Sequence, residues 1–160
     1  MRELSVSYAT AARLITVIAI VSIAGKLVLG PVSDVIGRIK VIILCMTLIA
    51  IGIFGMGYSP SYPLLVGAIV ICGFGYGPVW PLYAASASDY FSKDSTGSIL
   101  GLWTVMLGIG LILSPILTGY TIDVTQSFHW AFIEATICAI LSLILLVPVF
   151  RKTSPDSNVR

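Results

Sequence analysis

Five apolar runs, separated by short polar segments, constrain this chain more than any other feature. They cover about residues 10–32, 41–57, 62–88, 98–120 and 129–150. Each is close to the roughly 20 residues a helix needs to cross the hydrocarbon core of a bilayer. The segments Ser59-Pro60-Ser61, Lys93 to Gly97 and Asp123 to Ser127 carry turn residues. A soluble fold would need a polar shell, yet only 10% of the residues are charged, against about 25% in a typical soluble domain. The fold class that follows is all-α and integral to the membrane, with five transmembrane helices in one domain over residues 1–160.

The first run has a second reading. Arg2 and Arg13 can frame the charged end of a signal peptide, with Ser22-Ile23-Ala24 as its cleavage site. Apolar sequence resumes after Lys26, however, and completes a span. Basic residues then set the orientation. Arg38, Lys40, Lys93, Arg151, Lys152 and Arg160 fall on one side, and Arg2 and Arg13 on the other. Six against two predicts a cytoplasmic C-terminus and an external N-terminus, in the plasma membrane. An odd number of spans starting outside leads us to expect a preceding helix.

One internal segment gathers charge: GPVSDVIGRIK, residues 30–40. A tight turn between two spans favours glycine where backbones cross or φ is positive. Asp34 at a helix end can accept backbone N–H bonds or pair with Arg38, and Lys40 at the membrane edge favours retention in the cytoplasm. The bland alternative is an ordinary basic turn.

Gly30, Asp34, Gly37, Arg38 and Lys40 match a pattern similar to the cytoplasmic signature loop of the major facilitator superfamily, roughly G-x-x-x-D-x-x-G-R-x-K/R. Val35 and Ile39 stand where many members carry a basic residue. ASDYFSKDSTGSILGLW and GIGLILSPILTGYTID resemble the helix 10–11 region of that superfamily, and FHWAFIEATICAI the start of its last helix. The resemblance implies a partial six-helix half, helices 8 to 12 of twelve, with an N-terminal half missing from the chain. It also implies that the signature loop latches the two halves together when the transporter faces outward.

Inside the spans, few residues can do chemistry. Lys26 is the one lysine in a span. Such a charge is costly unless it snorkels, pairs or faces water. Tyr76, Trp80 and Tyr83 recur at helical spacing on one face, either lining a polar cavity or packing into a neighbour. Trp103 is a further candidate for a cavity wall, on a helix whose Met106, Gly108 and Gly110 suggest close packing. Asp94-Ser95-Thr96 can cap that helix. Glu134 can carry a proton if desolvation raises its pKa, or pair structurally, with Arg13 as the candidate partner. Asp89 is expected at a surface turn or bridged to Arg38, and His129 and Trp130 at the membrane interface. Cys45, Cys72 and Cys138 read as buried small hydrophobes, since their spacing fits neither a metal site nor a disulfide framework.

An enzyme is not expected, because no nucleophile–base pair or metal-ligand cluster is present. No cofactor or nucleotide-binding motif appears, and no basic run suggests nucleic acid. The partners expected are the lipid bilayer, a small-molecule solute and the missing transporter half. The resemblance implies secondary active transport by alternating access. Carboxylate-transporting members often carry a basic residue in the eighth helix, so Lys26 suggests an organic anion, in a monocarboxylate- or oxalate/formate-like branch. The competing reading is a truncated or accessory five-helix membrane protein without transport of its own.

Overall fold

The computed structural model describes residues 8–153, apart from the side chains of 147 and 149–153. They form five helices: α1 (Tyr8–Ile36), α2 (Arg38–Tyr58), α3 (Tyr62–Tyr90), α4 (Lys93–Thr125) and α5 (Phe128–Thr153). All five are long and apolar enough to cross a membrane. Arg2 and Arg160 lie outside the described residues.

The helices alternate in direction. The end of α1, the start of α2 and the end of α3 meet at Arg38, which is ion-paired with both Asp34 and Asp89. At the opposite end, α5 begins against the end of α2. There the His129 ring nitrogen Nδ1 donates to the Gly57 carbonyl at 2.8 Å, and the imidazole sits edge-on to Tyr58 with ring centroids 4.5 Å apart. His129 thus fastens two helices and is more than an interfacial anchor.

The turns are shorter than the sequence suggests. Residues 30–36 are helical and the α1–α2 link is Gly37 alone. Its φ of +108° lies in a region open chiefly to glycine. Gly37 N–H donates to Ser33 O at 3.1 Å, and Val41 N–H to Gly37 O at 3.3 Å, so backbone groups at both helix ends are satisfied without a side-chain cap. In a bilayer such economy follows from the cost of leaving N–H and C=O groups unpaired. The cap of α4 also differs from expectation. Ser92 is the cap residue and Lys93 already helical, with Thr96 Oγ1 donating to Ser92 O at 2.9 Å.

The core lies toward the Arg38 end. Leu29, Val41, Ile42, Cys45 and Leu82 are buried together, with Val32, Met46, Phe74, Val79, Tyr83 and Leu146 packed around them. Elsewhere α1 meets α3 backbone to backbone. A Cβ at Gly77 would overlap the Ser22 carbonyl, and one at Gly25 the Phe74 carbonyl. Ser22 Oγ uses the approach to donate to Gly73 O at 3.1 Å. Lipid supplies little hydrophobic drive between helices, so this close contact and its hydrogen bond carry much of the association.

The close packing expected of α4 is absent. None of its residues is buried, and a Cβ at Gly101, Gly108, Gly110 or Gly119 would meet nothing within 4 Å. The reason is position: α4 lies at the edge of the bundle, touching only α3 and α5 among the described elements with any extent. Cys138 also departs from expectation, being exposed on α5, whereas Cys45 and Cys72 are buried.

Gly77→Ala is expected to destabilise the bundle by about 1–3 kcal/mol, the usual cost of overpacking. Gly108→Ala should be neutral or stabilise by up to about 1 kcal/mol, since it adds helix propensity in open space. Unfolding of both variants in mixed micelles measures this, and equal stabilities would contradict the packing described.

Candidate functional site

The charged cluster around Arg38 is built from three helix ends. The guanidinium Nε donates to Asp89 Oδ2 on α3. Nη1 lies 2.8 Å from Asp34 Oδ1, one helical turn back across Gly37. The same Nη1 donates to Ser33 Oγ at 3.3 Å, and the Ser33 hydroxyl in turn donates a hydrogen bond to Gly30 O. Arg38 is three-quarters buried, while the two carboxylates remain half-exposed or more. Asp34 therefore pairs with the guanidinium and does not cap a helix, and Asp89 is the bridge to Arg38. Gly30 and Gly37 differ in what they contribute: a Cβ at Gly30 meets nothing within 4 Å, so its place in the turn is not a close crossing. Lys40 is exposed and makes no ion pair among the described residues.

The aromatic residues separate into two groups. Trp80 and Tyr83 of α3 each lie 4.7 Å, centroid to centroid, from Trp103 of α4. This tilted cluster is a main contact between the two helices, with geometry favoured by the ring quadrupoles. Tyr76 makes no ring contact among the described residues and is half-exposed. Lys26 is exposed and makes no ion pair among the described residues. It follows Gly25, which packs on Phe74. It therefore lies at the level where α1 and α3 touch, beside the seam between them.

Glu134 is half-buried at the other end of the bundle. Its Oε2 accepts a hydrogen bond from Thr121 Oγ1 of α4 at 2.8 Å. Arg13 is exposed and forms no ion pair with it. The partner is thus a hydroxyl on the adjoining helix. Thr121 stands five residues before Gln126 of the α4–α5 turn and Glu134 eight after it, so the short turn brings both to one end of the bundle. Ser33 had no signal in the sequence: it is 1% exposed, and its role depends on which way α1 turns its last residues.

A cavity of about 300 Å³ opens at the Arg38 end between α4 and the other helices. Tyr83, Ser86 and Tyr90 of α3 line it, with Leu100 and Trp103 of α4 and Ile39 of α2. Tyr83 and Trp103, both candidates for a cavity wall in the sequence, do line it, but beside residues such as Ile39, Ile42 and Leu100 that carried no such signal and make it apolar. No group of His, Cys, Asp or Glu among the described residues is arranged to hold a metal ion.

The comparisons with known proteins agree with this arrangement. The uncharacterized MFS-type transporter YfiU of Bacillus subtilis (strain 168) is 26% identical over 117 residues, covering 73% of this chain and 23% of that protein. The probable polyol transporter 6 of Arabidopsis thaliana is 27% identical over 136 residues, 85% of this chain and 27% of that protein. The uncharacterized MFS-type transporter YdgK of Bacillus subtilis is 25% identical over 132 residues, 82% of this chain and 33% of that protein. The chain thus spans only 23–33% of the length of these relatives. The family model described as Major Facilitator Superfamily matches residues 1–160. With five helices long and apolar enough to cross a membrane, and with that match over its whole length, the chain belongs to the major facilitator superfamily, a family of transporters and not of enzymes.

Proposed function

We propose that this chain forms part of a secondary active transporter that moves a small organic anion by alternating access. In this reading its helices serve as helices 8 to 12 of twelve, and a further half closes the solute pathway. The end bearing Arg38, Lys40 and Lys93 faces the cytoplasm of a plasma membrane, and the start of α1 lies outside. The observation that carries the anion is Lys26. A cation on an exposed face within a membrane-spanning helix needs a reason for its cost, and an anionic solute supplies one. Tyr76, Trp80 and Trp103 would offer ring faces and polar atoms on the neighbouring surface. Glu134, bonded to Thr121, is the candidate for carrying a coupled proton.

A second reading takes its support from one relative, named a probable polyol transporter. A neutral polyhydroxy solute would use the exposed rings of Tyr76 and Trp80 and leave Lys26 to snorkel to the membrane edge.

Substitution at Lys26 separates them. In the transporter containing this chain, Lys26→Gln should weaken binding of the anion roughly ten- to hundredfold, since a hydrogen bond to a charged group contributes about 1.5–3 kcal/mol. Lys26→Arg should retain part of the affinity, because the charge stays while the geometry changes. Titration calorimetry with the transported solute measures it, and an unchanged dissociation constant in Lys26→Gln would remove the anion reading. The 160-residue chain alone in liposomes should show no saturable uptake, because sites of this kind lie at the interface between repeats.

The orientation has its own test. Ser95→Cys in a Cys138→Ser background should resist a membrane-impermeant maleimide in intact cells and react once they are permeabilised. Ser127→Cys should react in intact cells. The opposite pattern would invert the proposed topology.

A further inference from the structure

The cavity between α4 and the bundle shares Trp103 with the proposed solute surface but is given no occupant by that reading. Its walls are apolar over nearly their whole area, and at about 300 Å³ it equals roughly ten waters in bulk volume. An apolar space of this kind holds water poorly, and an empty one forfeits dispersion contacts along its lining. Its natural occupant is therefore apolar. Ser86 Oγ is buried behind this wall with no hydrogen-bond partner among the described residues and offers the occupant almost no polar surface.

Charge at the same end is unevenly satisfied. Asp34 and Asp89 are both engaged by Arg38. Lys40 and Lys93 are exposed and make no ion pair among the described residues, although Asp94 stands exposed beside Lys93. Lys40 directly follows Ile39 of the cavity wall. Lys93 stands seven residues before Leu100, two helical turns along the same face of α4. A ligand with an apolar tail and an anionic head complements the apolar lining and the two lysines at this end.

We propose that this cavity seats one acyl chain of an anionic phospholipid from the surrounding membrane, with Lys40 and Lys93 holding its phosphate. The lipid wedges between α3 and α4 where protein contacts are fewest, so it fixes the position of α4 relative to the bundle. The proposal does not depend on which solute is transported, although Trp103 borders both surfaces.

Tryptophan quenching tests it on the 160-residue chain. With Trp80→Phe and Trp130→Phe, Trp103 reports alone from the cavity wall. The chain is placed in phosphatidylcholine vesicles with increasing phosphatidylglycerol brominated on its acyl chains. Quenching should saturate at a low mole fraction of the brominated lipid and exceed that from brominated phosphatidylcholine at equal fraction. Lys40→Gln and Lys93→Gln should each raise the half-saturating fraction about fivefold, given about 1 kcal/mol per lysine near an anionic surface. Ser86→Leu, which narrows the cavity, should raise the half-saturating fraction while circular dichroism stays unchanged. Quenching that follows mole fraction alone, with no headgroup preference and no response to Ser86→Leu or to the lysine variants, would show ordinary bilayer contact and overturn the proposal.

Discussion

A single guanidinium holds together the end of the bundle where three helices meet. Arg38 reaches Asp34 across the one-residue turn and Asp89 at the end of α3, while Ser33 fills a remaining place around it. The geometry requires Gly37, whose positive φ lets α2 start within one residue of the end of α1. With a longer turn, Arg38 would not be held over the last turn of α1. With an ordinary L-residue at position 37, the backbone would be strained. Arginine suits the place because its planar fork addresses several oxygens at once while staying charged. The core of Leu29, Val41, Ile42, Cys45 and Leu82 lies close to this node, so polar and apolar contacts secure the same end.

Away from that end the helices are held by different means. α1 and α3 touch through glycine, α2 and α5 through His129 and Gly57, and α4 and α5 through Thr121 and Glu134. α4 stands apart, joined to α3 by the Trp80–Tyr83–Trp103 cluster and burying no residue of its own. A body of four closely packed helices with one loosely joined neighbour gives the molecule an element that can shift at small cost. Movement of packed helices past one another is a recognised form of conformational change.

Much of this architecture was legible in the sequence. Five apolar runs imply five helices because lipid leaves the backbone few other ways to satisfy its hydrogen bonds. The basic residues Arg38, Lys40 and Lys93 fall at one end because helices joined by short turns alternate in direction. The signature residues Asp34, Gly37 and Arg38 could be picked out because charge is scarce in such a chain. The extent of each helix was harder to read: polar residues at 30–36 and 93–97 look like loop, yet fold as helix at the membrane edge. Contacts between distant helices were harder still. Hydropathy is nearly uniform around each span, so it does not tell which face of α4 meets protein, that Glu134 meets Thr121, or that Gly25 and Gly77, unlike Gly108 and Gly110, sit in a tight seam.

The account depends on Arg38 and Asp89 acting as a pair that ties α3 to the α1–α2 turn. A double-mutant cycle with Arg38→Gln and Asp89→Asn, read by unfolding in mixed micelles, tests this most directly. The structure predicts a coupling energy of about 1 kcal/mol, above the ~0.3–0.5 kcal/mol scatter of independent sites. Destabilisations that simply add, with no coupling beyond that scatter, would contradict it.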